Sequence, residues 1–251
     1  MNTPQQKSFK VLLIGDSCID KYVYGEVKRL NPEAPVPILN YKKTETRQGM
    51  AWNVYNNLKA LGLEVYMMTN QEKIIKTRYI DERTNQQILR VDEEVVCKPM
   101  EYEIPNEPYD AVVISDYDKG FITSSKLFEI VYNMKCPTFI DSKKKILPSY
   151  NCYVKINEHE YEKLEEKNSN VIITHGSKGA EYNGVVYPGE KVNVYDVVGA
   201  GDTFLSALVF GYLNCGRIEE AIPIANRAAA IAVSYPGTYV LSKEDVNELC
   251  N

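Results

Sequence analysis

Four short stretches of the chain combine residue types that could move a proton or hold an anion. In Val198-Gly199-Ala200-Gly201-Asp202 the glycines let the backbone approach a ligand closely. Phe204, Leu205, Leu208, Val209 and Tyr212 follow at helical spacing, so a glycine loop opens a helix. The unpaired N–H groups of a first helical turn, with the positive end of the helix dipole, form an anion site. Asp202 places a carboxylate beside it. That is the wrong sign for a bare phosphate cradle. It suits a group transfer, in which amides steady charge on a moving phosphoryl while a carboxylate accepts the proton of an attacking hydroxyl. The plainer role for Asp202 is a helix cap, and the motif alone leaves both open.

The other three stretches are more ambiguous. Asp16 and Asp20 follow an apolar run, at the carboxyl edge where open α/β sheets bind ligands, and carboxylates there can accept hydrogen bonds from sugar hydroxyls. Asn53, behind Gly49, offers a donor and an acceptor to the same polyol, although turn and cap roles would also account for these residues. Asn157 and Glu160 suit water-mediated magnesium and phosphate binding, or form an ordinary capping box. Lys143, in Asp141-Ser142-Lys143, could meet a nucleotide phosphate or be a solvated charge in a lysine run.

These residues need a scaffold, and the pattern supplies one. Lys10–Ile14 is an unbroken apolar run of the kind found in buried parallel strands. Further strands are predicted at 65–68, 111–115, 138–140, 152–156 and 171–174, with helices over 50–61, 124–134 and 158–166 between them. Alternating strand and helix predicts a doubly wound α/β core. Residues 21–43 and 75–94 break the rhythm with β-rich, short-period segments, which predict antiparallel strands gathered into one small sheet. The expected division is an α/β core of residues 1–20, 44–74 and 95–251, with a discontinuous β lid of 21–43 and 75–94. A lone small sheet cannot cover both its faces, so either bound substrate or a partner subunit, in a homodimer through the lid, is expected to bury one, unless the two segments are an ordinary surface excursion. Downstream, a hairpin is expected around Asn183-Gly184, a strand over 191–197, and an alanine-rich helix over 218–234. Ser242 and Asp245 cap a last helix.

Composition narrows the function. With 251 residues, 44% hydrophobic, the chain is globular, and a net charge of -5 gives no field to hold nucleic acid or an anionic membrane. No run reaches the ~20 apolar residues of a membrane span, and Met1–Phe9 lacks a signal peptide's apolar stretch, so a cytoplasmic protein is expected. Six scattered cysteines (18, 97, 136, 152, 215 and 250) and two histidines predict reduced thiols without a structural metal. No P-loop is present.

Taken together, GDSCID at 15–20, RLNPEAPVPIL, SDYDKG at 115–120, NEHE at 157–160 and DVVGAGDTF at 196–204 resemble the ribokinase-like (PfkB) carbohydrate kinases. Within that family NPEAPVP, SDYDKG and QILRVDEE are most similar to the kinase domain acting on D-glycero-D-manno-heptose 7-phosphate. The likeness spans about Lys10 to Val246. It implies a three-layer α/β/α core with a β lid, and ATP-dependent phosphorylation of a sugar hydroxyl with Mg2+, monovalent-cation activation being left open. Asp202 would be the base, and Gly199, Ala200 and Gly201 the anion hole. Asp16, Asp20, Gly49 and Asn53 would meet the sugar. Asn157 and Glu160 would serve phosphate and, through water, magnesium. Thr174, Gly176, Ser177, Gly179 and Asn226, with Lys143, would meet the nucleotide, and Lys76, Arg78 and Arg90 are expected on the substrate's own phosphate. The sequence departs from the family at Gly49-Met50, where paired glycines are usual, at Trp52, at Val198 and in the short 70–75 segment. A kinase for fructose, ribose or a nucleoside, and an idle sugar-binding regulator, remain as alternatives.

Overall fold

The computed structural model describes residues 8–249; Cys250 and residues 1–7 of the polar amino-terminal stretch lie outside them. In chain order the strands are β1 (Lys10–Gly15), β2 (Ser17–Leu30), β3 (Pro37–Met50), β4 (Glu64–Thr69), β5 (Ile75–Asp81), β6 (Gln86–Glu93), β7 (Ala111–Asp116), β8 (Thr138–Ser142), β9 (Cys152–Asn157), β10 (Val171–Thr174), β11 (Ala180–Tyr182) and β12 (Val185–Tyr187). The helices are α1 (Ala51–Ala60), α2 (Ser124–Asn133), α3 (Glu158–Glu162), α4 (Ala200–Cys215), α5 (Ile218–Val233) and α6 (Lys243–Leu249).

A large mixed sheet, ordered β12-β11-β10-β9-β8-β7-β1-β4, forms the middle layer. The six strands from β10 to β4 are parallel, and the β11–β12 hairpin adds an antiparallel edge. The continuous apolar character of β1 follows from burial on both faces. Val11 and Leu13 pack with Val54, Leu58, Leu205, Leu208 and Ile222 of α1, α4 and α5, whereas Leu12 and Ile14 pack with Leu127 and Ile130 of α2. This is the expected three-layer α/β/α arrangement. The alanine-rich α5 lies close on α4: a Cβ added at Gly211 would meet Ala221 at 3.0 Å. Asn183 and Gly184 take φ of 50° and 76°, the two positive values a type I′ hairpin turn requires. Ser242 and Asp245 form their cap in both directions.

The second sheet, ordered β3-β2-β5-β6, differs from expectation in its centre. β2–β3 and β5–β6 are antiparallel, but β2 and β5 run parallel. The cause lies in the core. β1 and β4 are parallel neighbours, β2 leaves directly after β1, and β5 leaves five residues after β4, so both enter the small sheet in one direction. Its strands also reach further than 21–43, from Ser17 to Met50. The direct β4–β5 connection leaves β4 as an edge strand.

Two further expectations fail. The segment 191–197 is not a strand. It crosses the end of α5, where the Tyr195 and Asp196 N–H groups donate to Val233 O. The helix predicted to 166 ends at Glu162. There the Lys163 and Leu164 N–H groups bond three residues back, Leu164 turns inward to 8% exposure, and the Glu165 N–H is taken by Lys145 O.

Met50 takes φ 58° and ψ -130° as the N-cap of α1, a backbone geometry that favours glycine, yet its side chain is buried at 4% exposure. Replacing it therefore separates strain from packing. Met50→Gly and Met50→Ala lose the same core contacts, but only glycine relieves the backbone. Urea unfolding should show the glycine variant more stable than the alanine variant by about 1 kcal/mol, the reverse of the usual order. An alanine variant of equal or greater stability would dismiss the strain.

Candidate active site

The carboxyl ends of the central strands converge on the start of α4. Gly199, with φ 80°, is its left-handed N-cap, and no side chain caps this end. The Ala200 N–H donates weakly to Val197 O at 3.3 Å, while the N–H groups of Gly199, Gly201 and Asp202 meet no acceptor among the described residues. The expected anion hole is thus best placed at Gly199 and Gly201, with the Asp202 N–H added and Ala200 partly engaged.

Asp202 does not cap the helix. Its carboxylate is 4% exposed and takes hydrogen bonds from two side chains, Oδ1 from Tyr117 Oη at 2.8 Å and Oδ2 from Asn53 Nδ2 at 3.0 Å. Burial pushes its pKa up to about 6; the Asn53 and Tyr117 hydrogen bonds and Lys155 work against that push, and Asp141 adds to it. Burial, and then Asp202 itself, raise the Tyr117 phenol well above its ordinary range, so it stays a donor. Asn53 is fixed in turn, because its Oδ1 accepts from Asn57 Nδ2 at 3.3 Å and Asn57 is bound to Tyr239 O and the Leu241 N–H. Both functional ends of Asn53 are therefore occupied within the protein, where it holds the Asp202 carboxylate in place.

One buried charge beside the start of α4 was not apparent from the sequence. Lys155, 5% exposed, pairs with Asp141 at 2.6 Å, and a Cβ on Gly201 would stand 2.8 Å from its Nζ. The signal for it was a single lysine inside the apolar strand Cys152–Ile156. Tyr117 lies in SDYDKG, quoted above as a motif and not as a site. Asp196 also went unmarked; it ties the loop before the anion hole to the end of α5 through the Val198 and Gly237 N–H groups at 3.0 and 2.9 Å.

The expected sugar residues Asp16, Asp20, Gly49 and Asn53 are all buried. Asp16 is fully buried, and its Oδ2 accepts the N–H groups of Tyr117 and Lys119 at 2.7 and 3.2 Å. Its Oδ1 has no partner, and burial raises the carboxyl to about 6. Asp20, 3% exposed, is paired with Arg78. Gly49 lies against Asp20, where any Cβ would collide with Oδ2. On the same face of the small sheet Arg90 grips Asp92 through two bonds of 2.7 Å, and Lys76 lies over the Tyr117 ring at 5.9 Å.

For the nucleotide, Thr174, Gly176, Ser177, Gly179 and Asn226 line a single cavity of about 340 Å³, closed by Val194, Ala230 and Val233 and open to Gly201. Asn226 Nδ2 is engaged by Tyr187 O and Pro188 O at 2.9 and 3.2 Å. Lys143 and Asn157 are not in its lining. Asn157 and Glu160 form the full capping box, and Lys143 pairs with Glu160. Burial opposes ionisation of Glu160, but the Asn157 N–H and Lys143 outweigh it and hold the carboxyl below its usual range. A larger depression of about 690 Å³, between residues 103–109 and α2, lies at the amino-terminal edge of the sheet, away from these groups.

The chain is similar to known proteins in sequence and in fold. Residues 137–245 match the pfkB family carbohydrate kinases. The bifunctional protein HldE of Nitratiruptor sp. is 30% identical over 298 aligned residues, which cover 95% of this chain; the chain spans 64% of that relative's length. The fold resembles a ribokinase of Thermotoga maritima, with a TM-score of 0.71 at 15% identity, covering 96% of this chain and 99% of the other. It also resembles a ribokinase of Cryptococcus neoformans in complex with ADP, with a TM-score of 0.68 at 15% identity, covering 97% and 99%. The ribokinase-like fold inferred from the motifs is therefore the fold observed.

A base with a pKa of about 6 is ionised above that value and lost below it. Whatever alcohol serves as acceptor, kcat/KM should hold level above about pH 7 and fall about tenfold per unit below about pH 6. Circular dichroism should remain native across that limb. A flat profile down to pH 4.5 would remove Asp202 as the base.

Proposed function

We propose that this chain, whose residues 137–245 match the pfkB family carbohydrate kinases and whose fold is ribokinase-like, transfers the γ-phosphoryl group of ATP to a sugar hydroxyl. The observation that carries this reading is the Asp202 carboxylate, held by Tyr117 and Asn53 beside unpaired amides at the start of α4. The preferred acceptor is the anomeric hydroxyl of D-glycero-β-D-manno-heptose 7-phosphate, giving the 1,7-bisphosphate. The NPEAPVP, SDYDKG and QILRVDEE segments support that choice.

In the reaction the acceptor hydroxyl lies between Asp202 and the anion hole. Its oxygen forms a bond to the γ-phosphorus as its proton passes to the Asp202 carboxylate, and the bond to the departing ADP oxygen breaks. The Gly199 and Gly201 amides, with Lys155 close by, face the charge that develops on the phosphoryl oxygens. The adenine end would occupy the apolar cavity at Val194, Ala230 and Val233. Mg2+ would arrive with the nucleotide, since Glu160 is engaged by Lys143 and the Asn157 N–H and suits contact through water. Bound there, it would neutralise charge on the phosphates.

Val23, Tyr79 and Leu89 are register partners on the outer face of the small sheet, and Leu89 is 54% exposed. A second copy covering this row would complete the lid. Light scattering should then give twice the monomer mass, reverting to the monomer in Leu89→Asp.

Incubation with ATP, Mg2+ and a panel of sugars and sugar phosphates should release ADP, fastest with heptose 7-phosphate. Asp202→Asn should lower kcat by at least ~100-fold and leave the acceptor KM within a few-fold. Tight sugar binding with no turnover on any acceptor would favour a regulator on the same scaffold.

A further inference from the structure

Resting on the kinase reading, we propose that Lys76 and Lys119 form a subsite for a phosphate ester already present on the acceptor, and that Glu94 fills this subsite until the acceptor displaces it. Most cations around the proposed acceptor site are already committed. Arg78 is paired with Asp20, and Arg90 with both oxygens of Asp92. Arg47 donates to Pro236 O at 2.9 Å, and Lys143 is paired with Glu160. Neither Arg78 nor Arg90, both expected to hold a substrate phosphate, is therefore the best candidate.

Lys76 and Lys119 differ from these. Their Nζ atoms lie 4.0 and 2.7 Å from the same oxygen of Glu94, so two ammonium groups share one carboxylate and a positive charge is left over. The two amines are shielded, with side chains 12% and 21% exposed, whereas Glu94 is 40% exposed and stands just beyond the end of β6. Shielded amines attract an anion more strongly than fully solvated ones. The more exposed carboxylate is the member that can swing away.

The place is also pre-set. Lys119 is anchored by its own backbone, the N–H donating to Asp16 Oδ2 at 3.2 Å and the carbonyl accepting the Cys97 N–H at 2.7 Å. Lys76 sits in β5 between Asp20 and Asp92 and faces the Tyr117 ring, whose hydroxyl bonds the base. Tyr117 therefore links the two groups: its hydroxyl bonds the carboxylate that would accept the proton, and its ring lies under one of the two ammonium groups. A divalent phosphate ester can outcompete a monovalent carboxylate for two ammonium groups, and a neutral sugar cannot.

Kinetics at saturating ATP, with heptose 7-phosphate and with unphosphorylated heptose, test this through the ratio of the two KM values. Lys119→Met should raise the ratio of phosphorylated to unphosphorylated KM about tenfold, and Glu94→Gln should lower it several-fold. An unchanged ratio in both variants would overturn the subsite and leave the kinase reading standing. Absence of turnover with every sugar would overturn the kinase reading instead. Calorimetric titration of heptose 7-phosphate without nucleotide would then decide the subsite. Weaker binding in Lys119→Met and tighter binding in Glu94→Gln would uphold it, and unchanged affinity in both would discard it.

Discussion

A carboxylate withdrawn from water keeps its charge near neutrality only when donors surround it, and the geometry of this molecule is organised around meeting that condition at Asp202. Tyr117 comes from the end of β7, Asn53 from the first turn of α1, and Lys155 from the end of β9. The two donors and the lysine charge thus belong to different elements, and they meet only if the layers pack as they do. Asn57 adds a second tier by holding Asn53 and receiving the Leu241 N–H, which brings the chain after α5 into the same arrangement.

Charge elsewhere along the carboxyl edge is handled differently. Asp16 is buried with one oxygen unpartnered, and it works as a backbone anchor for the 117–119 turn. Asp116 accepts from Ser142 and pairs with Lys144, and Asp141 pairs with Lys155. The carboxyl edge therefore alternates acids with lysines from neighbouring strands. Such pairs add little net stability once desolvation is counted, but they fix which groups face the pocket.

Much of this was legible in the sequence. The parallel core could be read because β1 and its neighbours are apolar without alternation, a direct result of cover on both faces. The start of α4 could be read because glycines before a helical pattern have few other uses. The parallel β2–β5 pairing was hidden, since direction depends on where two distant segments leave the core and not on their own composition. The 191–197 segment misled because alternating valines meet an apolar pocket wall as readily as a sheet face. Lys155 escaped because a lone charge in a strand gains meaning only from Gly201, a residue 46 positions away in the chain that the fold sets against it. Asn53 is expected to meet a sugar, yet its carbonyl oxygen already accepts from Asn57 and its amide donates to Asp202, contacts that no local pattern announces.

The small sheet is attached without slack. Asp16 alone separates β1 from β2, and β3 passes into α1 at Met50 with no intervening residue. Any tilt of that sheet must pivot on those two positions, one anchoring the 117–119 turn and the other opening the helix that aims Asn53. An acceptor bound as proposed, pulling the sheet down, would therefore adjust the alignment of Asp202 by the same movement.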